Sequence, residues 1–225
     1  MQIYCDEPYG CEFTALEGLV YPDFEQALTI EWPNPRGKAV GGIDFGWRNP
    51  FAAVWGVLDR DDVLWIGSER YGREIPLHEH AAALPRTVLW FADPAGRTEI
   101  EEMRLAGLAV RSGFNDVRLG IAAVTARLRT GRLKIHAAAC PNLVQEARLY
   151  RYPSPRERAQ HGELGEHPID DHNHALGALR YLIACLDARF IARLRGTSAK
   201  QQAASAKPQA SHNSWNNPDL WTPLS

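Results

Sequence analysis

Three places in the 225-residue chain set carboxylates where predicted elements end: Asp44 in the first strand of a strand-rich stretch, Asp93 closing a buried strand, and Asp170 with Asp171 opening the last helix. Strand ends and helix starts can converge on one edge of a sheet. Carboxylates gathered there suit phosphodiester hydrolysis, which needs an activated water, neutralised charge in the transition state and help for the leaving oxygen. Two divalent ions about 4 Å apart supply all three. Carboxylate oxygens are the ligands that Mg²⁺ or Mn²⁺ prefer. Crowded together, they raise one another's pKa, so such a cluster makes most sense with cations bound. His174 lies four residues after Asp170 and three after Asp171. On a shared helix it stands on their face, as a water-positioning or ligand-orienting group. Each residue also has a plain structural use: strand-end aspartates serve turns, Asp170 and Asp171 suit a helix N-cap and its dipole, and His174 suits a surface.

The elements that must position these groups follow from the apolar pattern. Residues 1–38, acidic and broken by YPDF (Tyr21 to Phe24) and WPNP (Trp32 to Pro35), read as an extended lead-in. AVGGIDFG (39–46), PFAAVWGVL (50–58) and DVLWIGSERY (62–71) read as three sequential antiparallel strands, the last two joined at Asp59-Arg60-Asp61. A short helix over 75–84 precedes TVLWFAD (87–93), whose unbroken apolar run fits a strand buried on both faces. Thr98 and Glu101 form a capping-box pattern for a helix over 98–106, Gly107 stops it, and LAVRS (108–112) is the next strand. Val117, Ile121, Val124 and Leu128 mark a second amphipathic helix, followed by the strand RLKIHA (132–137). PNLVQEARLY (141–150) reads as a helix with proline in its first turn, and 151–168 as a long polar loop. The last helix begins near Asp170, carries Leu176, Leu179, Ile183, Leu186 and Phe190 on one stripe, and runs to Gly196. Such alternation specifies an α/β domain over 39–195, with a polar, disordered tail over 196–225.

Composition bounds the rest. With 45% hydrophobic and 23% charged residues the chain can bury a sizeable core, and with no long apolar run and no leader pattern it reads as a cytoplasmic protein, with no membrane partner expected. Cys5, Cys11, Cys140 and Cys185 lack zinc spacing and read as free thiols. The net charge of -2 is uneven: the first 38 residues hold seven acids against Arg36 and Lys38, leaving a mild basic excess beyond them, compatible with contact to phosphates. Candidate phosphate contacts are Arg97, Arg127 and the arginines near the long loop, Arg148, Arg151, Arg156 and Arg158. Trp215 and Trp221 in the tail could anchor a docking segment.

Five segments in order resemble the nuclease half of tailed-phage large terminase subunits: GGIDFGWRNPFAAVWG (Gly41 to Gly56), WFADPAGRTEIEEMRLAGLAV (Trp90 to Val110), NDVRLGIAAVTARLRTGRLKI (Asn115 to Ile135), CPNLVQEARLY (Cys140 to Tyr150) and DDHNHALGALRYLI (Asp170 to Ile183). EGLVYPDF (Glu17 to Phe24) is similar to the family's approach to that domain. The resemblance implies an RNase H-like mixed sheet, three antiparallel strands followed by parallel ones with flanking helices. It also implies a nuclease that cuts double-stranded viral DNA during packaging with two Mg²⁺ or Mn²⁺ ions. Asp44, Asp93 and Asp171 are then the metal ligands, with Asp170 as an additional one and His174 beside them. The implied partners are DNA, a portal protein, a small terminase subunit and a separate ATPase half.

The chain departs from the family pattern twice. Gly177 stands where many members carry Asp, and Asp171 is expected to serve instead, because the first turn of a helix can be reached from the sheet edge. No GxxxxGK[ST] phosphate loop occurs, so this sequence holds no motor of that kind. Two other readings stay open: another RNase H-like nuclease such as a junction resolvase, and a non-catalytic DNA-binding or capsid-docking remnant in which Gly177 marks a lost site.

Overall fold

A computed structural model describes residues 18–157 and 167–195. The chain clusters into two units, Met1–Ile191 and Ala192–Ser225, and every element below lies in the first. Expected to be extended, the described part of the lead-in instead buries Val20, Tyr21, Phe24 and Ala27, forms a 3-10 turn over Phe24–Ala27 and ends in a two-residue strand, β1 (Leu28–Thr29). Tyr21 and Phe24, in a segment that interrupts any regular period, are core residues. They are placed by contacts with distant parts of the chain that local pattern does not encode.

The predicted meander is present as β2 (Gly37–Asp44), β3 (Phe51–Asp59) and β4 (Leu64–Gly72), paired antiparallel in chain order. Asp59 closes the β3–β4 turn: its Oδ1 accepts the amides of Asp61 and Val63, and its Oδ2 accepts the Trp65 indole N–H. Then follow α1 (Leu77–Ala83), β5 (Leu89–Ala92), α2 (Arg97–Leu105), β6 (Ala109–Ser112), α3 (Val117–Arg129), β7 (Leu133–His136), α4 (Pro141–Leu149) and α5 (His174–Leu186). The seven strands lie in the order β1-β7-β4-β3-β2-β5-β6. β5 joins β2 in parallel, β6 joins β5, and β7 crosses to the far side, where it runs parallel to both β4 and β1.

Side-chain alternation divides the core between the two faces of this sheet. Ile43, Phe51, Ala53, Trp90 and Ala92 pack with residues of α1 and α2, whereas Val40, Ala52, Val54, Leu64, Ile66 and Phe91 pack with residues of α3, α4 and α5. Two adjacent glycines in β2 set the distances across it. A Cβ on Gly41 would fall 2.5 Å from the Trp90 ring, and one on Gly42 would fall 1.9 Å from the Ala178 carbonyl oxygen of α5. α5 therefore rests directly on the β2 backbone.

Helix ends depart from expectation in two ways. The Thr98/Glu101 capping box does not form: α2 starts after Gly96 with no side-chain cap, and Glu101 pairs with Arg104. α3, in contrast, is capped by the Asp116 carboxylate, which accepts the Leu119 amide. The last helix stops at Leu186 rather than running on, because Asp187 leaves helical geometry and turns its carboxylate to Arg127. Residues 188–191, the last of the first unit, are again helical, and Phe190 there is exposed. Expectations for Cys5, Cys11, Arg158 and the tail with Trp215 and Trp221 lie outside the described residues. Cys140 and Cys185 are free thiols.

Arg127, expected as a phosphate contact, is 1% exposed. Its guanidinium makes paired bonds of 2.7 Å to both oxygens of Asp187 and also reaches the Asp62 carboxylate and carbonyl. It is a structural tie between α3, the β3–β4 turn and the end of α5. Arg127→Ala is expected to lower stability by about 3 kcal/mol by stranding the largely buried Asp187. Gly42→Ala is expected to lower it by about 2 kcal/mol by forcing α5 off the sheet. Urea unfolding of both variants checks these values.

Candidate active site

β2 and β5 run parallel with Gly42 opposite Phe91 and Ile43 opposite Ala92. The ladder continues one step, since the Asp93 amide donates to the Ile43 carbonyl at 3.0 Å. Asp44 and Asp93 therefore follow as neighbours. With Gly42 and Phe91 two residues earlier on the α5 face, strand alternation directs both carboxylates to that same face. Asp93 also closes a turn, accepting the Ala95 amide on Oδ1.

α5 covers this edge. His174 Nδ1 lies 3.2 Å from Asp44 Oδ2, and the two side chains are 20% and 15% exposed. Burial raises the Asp44 pKa above the usual carboxylate range, the bond to His174 opposes that rise, and the charge of Asp93 adds to it. His174 is shifted up, chiefly by its bond to Asp44, with further pull from Glu146 and Asp170. The edge is thus a place where negative charge is held against desolvation, which a bound cation relieves.

Position 177 also faces Asp44. A Cβ there would sit 3.4 Å from the Asp44 carboxyl carbon, in ordinary van der Waals contact. The observed start of α5 accounts for this. Asn173 is the N-cap and His174 the first helical residue, so Gly177 is one turn in. Asp170 and Asp171 precede the helix and do not share its face with His174. Asp171 is exposed and bonds the amide and ring of His172, which has a φ of 51°, and Asp170 accepts the Asn173 side-chain amide at 2.9 Å. The structure thus brings His174 to Asp44 and sets Asp93 beside Asp44 on the next strand, while Asp170 and Asp171 lie on the adjoining loop.

Glu146 escapes the sequence reading. It is 4% exposed, accepts the Tyr71 hydroxyl at 2.8 Å and the Leu176 amide at 3.0 Å, and its pKa is raised by burial. Asn173 makes no side-chain cap, so this carboxylate of α4 helps satisfy the start of α5 from outside. The available signal is an acid among Leu143, Val144 and Ala147, where helical spacing predicts an apolar face. Glu69 does the same for α4, accepting the Asn142 and Leu143 amides.

Among the described residues no three His, Cys, Asp or Glu side chains stand together as a ready-made metal cage. A carboxylate pair beside an imidazole still fits Mg²⁺ or Mn²⁺, because such ions are commonly held by one or two carboxylates and complete their shells with water and substrate phosphate. Of the expected phosphate contacts other than Arg127, Arg97 and Arg156 are exposed, Arg148 pairs with Glu25, and Arg151 makes a two-bond pair with Glu157.

No sequence-family model matches the chain, and no curated protein does. Solved structures do. The large terminase of thermophilic bacteriophage D6E superposes with a TM-score of 0.64 at 20% identity, over 75% of this chain and 44% of that one. The P22 large terminase nuclease domain gives 0.58 at 22% identity, over 74% and 89%. The nuclease domain of the bacteriophage SPP1 large terminase, solved with bound Mn, gives 0.57 at 18% identity, over 72% and 97%. The fold is therefore the RNase H-like mixed sheet of large-terminase nuclease domains. The chain spans less than half the length of the D6E protein it matches. No helix among the described residues is long and apolar enough to cross a membrane.

Glu146→Ala is expected to lower stability by about 2 kcal/mol by leaving the Tyr71 hydroxyl and helix amides without their buried acceptor. Glu146→Gln, which keeps one acceptor oxygen, is expected to lose less than half as much in the same urea titration.

Proposed function

We propose that this chain is the nuclease part of a phage large terminase, a metal-dependent endonuclease that cuts double-stranded viral DNA during genome packaging. The carrying observation is the register of β2 and β5, which sets Asp44 and Asp93 side by side at one sheet edge under α5. The structural likeness to the D6E, P22 and SPP1 proteins supports it.

On this reading Asp44 and Asp93 hold two Mg²⁺ or Mn²⁺ ions, with Asp170 and Asp171 on the loop before α5 as further candidates. Such ions, when bound, supply charge neutralisation at the phosphate and a more acidic water. His174 orients the Asp44 carboxylate, and its imidazole can hold or deliver a proton beside the reacting oxygens. Arg97 and Arg156 are the exposed candidates for backbone contacts. A portal protein, a small terminase subunit and an ATPase half are the partners this role requires.

Gly177 favours a second reading, a DNA-binding or docking remnant with a weakened ion site, because the position facing Asp44 carries no ligand. Nicking and linearisation of plasmid DNA in Mn²⁺ tests the first reading. We expect Asp44→Ala and Asp93→Ala each to reduce the rate at least about a hundredfold, and Asp171→Ala more than Asp170→Ala. Full activity in both Asp44→Ala and Asp93→Ala would falsify the site. Gly177→Asp, whose Cβ would meet the Asp44 carboxyl at ordinary contact distance, is expected to tighten Mn²⁺ binding in a calorimetric titration without DNA. No cleavage by the natural chain, with cleavage restored in Gly177→Asp, would establish the remnant.

A further inference from the structure

The loop that follows Asp44 leads to the opposite face of the same sheet edge. There a cleft of about 280 Å³ is lined by Phe45, Trp47, Ile75, Leu77, Glu99 and Glu102 among others. Trp47 is 56% exposed, the most exposed aromatic residue among the large hydrophobics of the described chain. Its loop is tied down, since the Glu74 amide donates to the Trp47 carbonyl at 3.1 Å. The inner wall is a packed row of rings: Phe45 and Phe51 have centroids 6.3 Å apart, and Phe51 stacks on the buried His80 at 3.8 Å. An occupant therefore meets walls that are already formed, which lowers the ordering cost of binding.

The charged lining has one sign. Glu99 and Glu102 stand three residues apart on α2, and among the described residues neither forms an ion pair, whereas Glu101 between them pairs with Arg104. A Cβ on Gly96 would fall 2.4 Å from the Phe45 ring and 3.3 Å from Glu99 Oε2, so the bare backbone there lets a carboxylate stand beside an aromatic ring. Arg70 donates instead to His80 Nδ1 and to the Glu79 carbonyl. Glu99 also suits the first turn of α2 and its dipole. That use explains neither Glu102 nor the uncovered indole of Trp47.

Three kinds of wall select one kind of occupant. Apolar side chains accept a methylene stem, an indole face accepts a cation, and unpaired carboxylates accept charged donors. An arginine side chain supplies all three, because its stem tolerates burial while its planar guanidinium stacks on an indole and bonds carboxylates in a fork. Anionic ligands are repelled by the same lining. We propose that the cleft is a docking site for an arginine side chain presented by a partner protein, its stem along Ile75 and Leu77 and its guanidinium between Trp47 and the carboxylates of Glu99 and Glu102. A partner seated there lies against the loop that begins one residue after Asp44, behind the strand end that carries the carboxylate. Docking of this kind goes beyond the nuclease reading and does not depend on it, so it is measured without DNA or metal.

The experiment titrates acetyl-Gly-Arg-Gly-amide into the isotope-labelled full chain in EDTA and follows amide and indole N–H resonances. The chain has seven tryptophans, and the signal lost in Trp47→Phe identifies Trp47. The same peptide with citrulline in place of arginine keeps the shape and removes the charge. The arginine peptide is expected to shift the Trp47 signal and to bind about tenfold tighter than the citrulline peptide, the effect of a hydrogen bond to a charged group. In the double variant Glu99→Gln with Glu102→Gln that preference is expected to vanish. Trp47→Ala, read at the Gly46 amide, is expected to weaken the arginine peptide about fourfold, the size of an exposed cation–π contact. Equal binding of the two peptides, an unmoved Trp47 signal, or an undiminished preference in the double variant overturns the assignment. So does a Trp47 shift produced by oligo(dT) in place of the arginine peptide, which would give the cleft to unpaired DNA. The peptide comparison on the natural chain decides the matter even where a variant fails to fold.

Discussion

Where β2 runs beneath α5, a strand and a helix meet closer than any side chain allows. The Ala178 carbonyl occupies the position that a Cβ on Gly42 would fill, so the helix lies on bare backbone. That approach brings the first turn of α5 over the end of β2, where His174 meets Asp44 and position 177 looks onto its carboxylate. On the other face, Gly41 leaves room for the Trp90 ring. A strand made thin on both sides can carry an acid at its end and still have it roofed by a helix. Dense packing makes such an arrangement unforgiving, since interiors close to crystal density cannot absorb an added methyl without movement.

Held so closely, α5 is also pinned at both ends by charged groups from elsewhere in the chain. Its start receives the Glu146 carboxylate from α4, and the residue after its end gives Asp187 to Arg127 of α3. A buried carboxylate and a buried guanidinium contribute little net stability when fully satisfied, but removing one partner is strongly destabilising. Their effect is to fix where the helix stops and starts, and therefore which residue faces the sheet edge.

Electrostatics at that edge follows from position. Asp44 ends a central strand, so burial raises its pKa and Asp93 on the next strand raises it further, while His174 and Arg180 pull the other way. Asp170, outside the helix and exposed, acts on the edge through its charge on His174, whereas Asp171 bonds its neighbour His172. The two faces of the edge differ: carboxylates meet the His174 imidazole of α5 on one, and aromatic rings meet the buried His80 of α1 on the other.

Sequence alone determined what is local. Periodicity located the three antiparallel strands, the strand-helix-strand units and helices α1 to α5, because each is set by residues a few positions apart. Asp44 and Asp93 were legible as strand-end acids for the same reason. Only tertiary structure decided that β7 lies beside β4 and β1 rather than next to β6, and that Tyr21 and Phe24 of the lead-in belong to the core. It alone showed Arg127 to be an interior tie, Glu146 a cap for a distant helix, and Gly177 a neighbour of Asp44. These depend on contacts between segments dozens of residues apart, and a single chain's local pattern carries no record of which distant backbone comes near.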